Sequence, residues 1–86
     1  MTFRIETARR GRSTVFVLSG RIEKAAIAEL KKLFERQADC AIVLDLKDVG
    51  VIDRDVMKFL VRCEAGGVRL ENCPQYIREW MEREKD

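Results

Sequence analysis

Ile42-Val43-Leu44-Asp45-Leu46-Lys47-Asp48-Val49-Gly50-Val51-Ile52-Asp53 is the stretch on which the reading of this chain turns. Ala41 to Leu44 is continuously apolar, the pattern of a strand covered on both faces. Asp45 to Gly50 is expected to carry the chain off the sheet, with Gly50 available for a turn. Asp53 is a good N-cap for a helix, because its carboxylate can accept from the unpaired N–H groups of the first turn.

On the C-terminal side, Val56, Met57, Leu60 and Cys63 keep helical spacing until Gly66 and Gly67 end the helix. Val68-Arg69-Leu70-Glu71 alternates and reads as an edge strand. Pro74 suits the first position of a third helix, where its missing N–H costs nothing, and Ile77, Trp80 and Met81 form the stripe that docks on the core.

On the N-terminal side, Ala26, Ile27, Leu30, Leu33 and Phe34 make the apolar face of an amphipathic helix over about residues 23–36. Val15 to Leu18 is a second buried strand, ended by Gly20. Phe3 and Ile5 alternate with Arg4 and Glu6, as a strand with one buried face should. Arg9 to Ser13, with Gly11, makes the turn between these two strands. The order is β-β-α-β-α-β-α, an α/β domain in which a hairpin starts the sheet and two crossovers extend it with parallel strands. We expect a four-stranded mixed sheet in the order 1-2-3-4, with both crossover helices packed on one side of it.

Eighty-six residues make a single domain, 1–86, near the lower limit for a core without disulfides or metals. With 17 basic and 15 acidic residues mixed along the chain, the net charge of +2 sets up no long-range field for nucleic acid or anionic lipid. Arg9, Arg10 and Arg12 cluster at a hairpin tip without an aromatic stacking platform, so they read as a solvated turn. No apolar run approaches the length of a membrane span or a signal-peptide core, which predicts a cytoplasmic protein with no direct membrane insertion.

Catalysis needs a nucleophile, a base and a pocket, and the sequence has no histidine. Asp45, Asp48, Asp53 and Asp55 lack the pattern of a calcium loop, and neither standard phosphate loop is present, so no metal or other cofactor is expected. Cys40, Cys63 and Cys73 are odd in number and unevenly spaced, which reads as core thiols. Cys73 is the exception to examine, since a thiol at a helix N-terminus can become more acidic and reactive.

Over nearly its whole length the chain resembles the STAS domain family, the fold of sulfate-transporter and anti-sigma-factor-antagonist domains. Val17-Leu18-Ser19-Gly20-Arg21-Ile22, followed by Ala26 and Leu30, is similar to the family's strand leading into its first helix. Ile42 to Asp53 resembles its most recognisable segment, a hydrophobic strand, a short loop and an Asp heading the second helix. The resemblance implies a non-catalytic regulatory protein–protein interaction module in bacterial signal transduction and transcription regulation. It also implies a protein partner, such as an anti-sigma-type kinase, another signalling protein or a transporter's cytoplasmic subunit. Members that antagonise anti-sigma factors carry Asp, two small hydroxyl-type residues and Gly at this helix start, and the partner kinase phosphorylates the second hydroxyl. Here Asp53 matches the Asp, Arg54 replaces the first small residue, Asp55 stands at the phosphoacceptor position and Val56 replaces the Gly. The phosphorylation switch is therefore absent.

Asp55 has two compatible readings. A carboxylate in the first turn of a helix gains about 0.3–1 kcal/mol from the dipole. The same carboxylate also supplies about −1 charge where a phosphoserine would carry −1.5 to −2. Arg54 offers a donor fork to a partner carboxylate. The helix at 53–65 carries more apolar residues than one stripe requires, so either Phe59 or the Met57 and Val61 pair is expected to face outward. Asp53, Arg54, Asp55, Val56, Met57 and Phe59 together form the expected partner surface. The alternative is a small-molecule or nucleotide sensor that uses the loop before the second helix.

Overall fold

The computed structural model describes residues 3–37 and 40–85. Strands β1 (Phe3–Arg10) and β2 (Ser13–Ile22) pair antiparallel, from Arg10 opposite Ser13 to Phe3 opposite Gly20. Gly11 and Arg12 form the two-residue turn, and Gly11 has a φ of 62°. A positive φ at the first turn position follows the right-handed twist of the strands and favours glycine. Helix α1 (Lys24–Glu35), strand β3 (Ala41–Ile52), helix α2 (Arg54–Ala65), strand β4 (Arg69–Glu71) and helix α3 (Gln75–Lys85) follow. The sheet order is β1-β2-β3-β4, with β3 parallel to both β2 and β4. This is the architecture the hydrophobic pattern predicts.

The connection expected at Asp45–Gly50 is instead strand. β3 stays paired with β2 through Ser19–Asp48, Gly20–Val49, Arg21–Val51 and Ile22–Ile52, and the register shifts between Val17 and Ser19 and again between Gly20 and Arg21. At each shift β3 carries one extra residue, as in a β-bulge. The β3 residues in the main core are consequently Leu44, Leu46, Val49 and Ile52, while Lys47–Asp48 and Gly50–Val51 bulge to the surface as exposed pairs. β2 also runs past Gly20, whose φ of 86° the bulged region requires. Asp53 alone separates β3 from α2.

All three helices contribute to one cluster. Ala26 and Leu30 of α1, Val56, Met57, Phe59 and Leu60 of α2, and Ile77 and Met81 of α3 pack with Phe16, Leu18, Leu44 and Leu46. The helices thus share one face of the sheet. Val15 and Val43 alternate to the other face, yet they too are buried.

Among the described residues, no helix contributes to that second face. Arg10 on β1 donates to Glu71 on β4 at 2.7 Å, crossing β2 and β3 diagonally. By register its path runs from beside Ser13 to beside Asp45, over the Val15–Val43 pair. Methylene stems of long charged side chains cover apolar surface while their heads stay wet. Two of the three hairpin-tip arginines therefore have structural partners, since Arg9 also donates to Thr14 Oγ1 at 3.4 Å and to Cys40 Sγ at 3.3 Å.

Helix α3 starts one residue later than Pro74 would suggest. The Pro74 carbonyl accepts from Ile77 and Arg78, so the proline precedes the first turn. Ile77 and Met81 are fully buried, whereas Trp80 is half-buried and Tyr76 is exposed. The Tyr76 hydroxyl donates to the Gly50 carbonyl, anchoring α3 to the end of β3. Arg78 grips Glu64 of α2 through two bonds of 2.8 and 3.0 Å, a bidentate geometry suited to guanidinium and carboxylate.

Candidate functional site at the head of the second helix

Asp53 links two helices. Its Oδ1 accepts from Val56 N at 2.9 Å, the expected cap of α2, while Oδ2 accepts from Lys24 N at 3.2 Å in α1. The residue preceding α1, Glu23, gives that helix no side-chain cap of its own. One carboxylate thus serves the positive ends of two helix dipoles. This brings the two helix starts together on one end of the sheet.

The next two side chains face solvent. Arg54 is exposed and reaches Glu84 only loosely, at 3.9 Å. Such an exposed pair contributes little to stability. Asp55 is exposed in the first turn of α2.

Val56, Met57 and Phe59 lie inside. Val56 is 2% exposed, Met57 0% and Phe59 7%. The expectation that either Phe59 or the Met57 and Val61 pair faces outward is corrected, since Phe59 and Met57 are both buried: α2 packs between α1 and α3 and buries a broad arc. Val61 is half-buried on the side of α3. A partner docking on the folded domain would meet Arg54 and Asp55, not Val56 or Met57.

A groove of about 610 Å³ runs from Asp55 along the seam between α1 and α2. Ile27, Ala28, Phe59 and Cys63 supply its apolar lining, and Lys24, Lys31 and Arg62 stand on its banks. The Phe59 ring stacks on Phe34 with centroids 6.1 Å apart, which fixes the floor. Lys24, Lys31 and Arg62 belong to no functional pattern within the sequence. Their signal appears only once the crossover places α1 beside α2.

Cys63 and Cys73 are not activated. Burial pushes Cys73 up, against the opposing charge of Arg78, so its place before α3 does not make it acidic. Burial also pushes Cys63 up to about 11, against Arg62 and Lys31. The unfolded chain ionises at Cys63 first as the pH passes its ordinary value of 9.0. Stability should therefore be lost between pH 9.0 and about 11. Urea unfolding at stepped pH checks this, with Cys63→Ala expected to flatten the decline.

The segment before α2 is strand and offers no loop, so the sensor alternative loses the site assigned to it. Among the described residues no group of His, Cys, Asp or Glu is arranged to hold a metal ion, and no helix is long and apolar enough to cross a membrane.

No family model and no curated protein matches this sequence. Solved structures do. An anti-sigma-factor antagonist STAS domain from Rhodobacter sphaeroides superposes with a TM-score of 0.63 at 18% identity, over 83% of this chain and 87% of that one. The chain has the fold of a STAS domain. An uncharacterized protein from Shewanella loihica with a SpoIIAA-like fold matches over 93% of this chain and 94% of its own, at 8% identity and a TM-score of 0.50. At these identities the likeness is one of fold. In this STAS fold, as the mixed sheet and Asp53 show, the head of α2 is a fixed corner presenting Arg54 and Asp55.

Proposed function

We propose that this STAS-fold domain is a non-catalytic regulatory module that binds a protein partner through the exposed head of α2, without a serine phosphorylation switch. The observation that carries the reading is the position of Asp55, a solvent-facing carboxylate in the first helical turn, held in place by the double cap at Asp53. The fold shared with an anti-sigma-factor antagonist supports it. A carboxylate at this position supplies about −1 charge without a phosphoryl group and offers no hydroxyl for a serine kinase. The module then holds one binding state, and Arg54 provides a donor fork beside it. An anti-sigma-type kinase or the cytoplasmic subunit of a transporter is the kind of partner this implies, in a bacterial cytoplasm.

Co-purification of the tagged domain from its host, read by mass spectrometry, should return a specific protein. Calorimetric titration with that protein should then show at least a fivefold affinity change for Asp55→Ser. Equal affinity for both forms would remove Asp55 from the contact, and co-purification of nothing would overturn the module reading.

A further inference from the structure

The groove between α1 and α2 is lined unevenly in charge. Lys24, Lys31 and Arg62 put three cations on its banks against the single carboxylate of Asp55. The whole chain is nearly balanced at +2, so this is a local concentration of positive charge. Among the described residues none of the three cations makes an ion pair. The floor between them is apolar, and Ala28 is an exposed small residue that lets another backbone approach closely.

Length and shape decide what fits. Lys24 to Lys31 spans about 10 Å of helix and Asp55 to Cys63 about 12 Å, or roughly two turns. A small-molecule site encloses most of its ligand's surface. This groove lies open between two surface helices, with Lys24, Ala28, Lys31, Asp55 and Arg62 all exposed. Two parallel helices with a shallow apolar seam instead suit a third helix, whose residues at i, i+3, i+4 and i+7 enter the seam.

We infer that the α1–α2 groove is the docking site for an amphipathic helix with acidic flanks, supplied by the protein partner. The inference rests on the proposed function and deepens it, because the groove begins at Asp55 and extends the contact along α2. Leucine-type side chains of the incoming helix sit over Ile27, Ala28 and Phe59. Its flanking carboxylates meet Lys31 and Arg62 at the far end and Lys24 at the near end. Asp55 opposes an acidic residue only at the near end, which sets the polarity of docking.

The test uses the whole domain and two synthetic helical peptides with the same leucine stripe, one flanked by glutamates and one by lysines. Amide shifts of the labelled domain should move at Ile27, Ala28, Phe59 and their neighbours with the glutamate peptide. The lysine peptide should bind at least tenfold more weakly. In the double variant Lys31→Glu and Arg62→Glu, whose sites are exposed and whose fold the amide spectrum verifies, that preference should reverse.

Equal binding of both peptides, shifts centred away from the groove, or no binding would overturn the inference. So would saturation of the groove by dodecanoate with no peptide response, which would mean a small-ligand site. Groove shifts that grow with domain concentration alone would do the same and indicate a second copy of this chain. Failure here is distinguishable from failure of the module reading: a partner whose capture is lost with Arg54→Glu but unaffected by Lys31→Glu and Arg62→Glu keeps the module and removes the groove.

Discussion

Truncation of Met57 to alanine is expected to lower the unfolding free energy by about 2–5 kcal/mol, the range for removing a large buried side chain and leaving a cavity. Met57 is 0% exposed, and its neighbours on the helix, Val56 and Leu60, are 2% and 1% exposed. At about 100° of rotation per residue, Phe59 and Cys63 fall beyond the Val56 side of this trio, while Glu64 and Val61 fall close to either side of Met57. The Val56 side meets α1, where Phe59 stacks on Phe34, and the Met57 side meets α3, where Glu64 binds Arg78. Met57 lies beneath the second seam, so its loss is felt by α2, α3 and the sheet together. A domain of this size has about 4–13 kcal/mol in all. The melting temperature should fall by about 4–8 °C for each kcal/mol. Met57→Leu, which conserves volume, should cost less than about 1.5 kcal/mol. Urea unfolding of the two variants checks the assignment. A change within about 0.5 kcal/mol for Met57→Ala would mean a surface position.

Met57 also shows where the sequence stops being legible. Helical periodicity identifies α2 but not how many neighbours it has, and a helix flanked on both sides buries a wider arc than one lying alone on a sheet. Apolar residues beyond a single stripe then look like a partner surface. β3 poses the opposite problem. Its residues in the main core are spaced two, three and three apart, at Leu44, Leu46, Val49 and Ile52, because two bulges each insert a residue. Period-two alternation is lost after Leu46, and Lys47-Asp48 and Gly50 resemble a loop.

β1 and β4 read correctly as strands, but the turn expected over Arg9–Ser13 is only Gly11 and Arg12, because Arg9 and Arg10 pair with Thr14 and Ser13 as strand. Burial of Val15 and Val43 on the second face was also legible, but the Arg10–Glu71 bond that crosses that face, between residues 61 positions apart in sequence, was not. The exposed pair Arg54 and Asp55 was visible from helix-start chemistry alone. The cations of the groove were not, since Lys24 and Lys31 become neighbours of Arg62 only through tertiary packing.

Replacing Asp53 with alanine should destabilise the domain by more than a single lost cap does. Removal of an ordinary N-cap costs about 0.5–2 kcal/mol. Here the carboxylate also accepts from Lys24 N, at the start of a helix whose own preceding residue, Glu23, provides no side-chain cap. Both orphaned N–H groups sit at positive helix ends, so a total of about 2–3 kcal/mol is expected. Asp53→Asn keeps one acceptor oxygen and can serve only one helix well, which should halve the loss. Arg54→Ala, next in sequence but exposed, should stay within about 0.5 kcal/mol. Urea unfolding of the three variants gives the ranking, and a loss for Asp53→Ala no larger than for Arg54→Ala would contradict the double cap. The partner interaction should weaken with Asp53→Ala even though its carboxylate is turned inward. Freeing the two helix starts from one another releases the geometry that holds Asp55 at the surface and aligns the banks of the α1–α2 groove. Asp53 is thus a positioning residue, and a titration in which Asp53→Ala weakens binding while Asp53→Asn largely restores it would separate that role from direct contact by its charge.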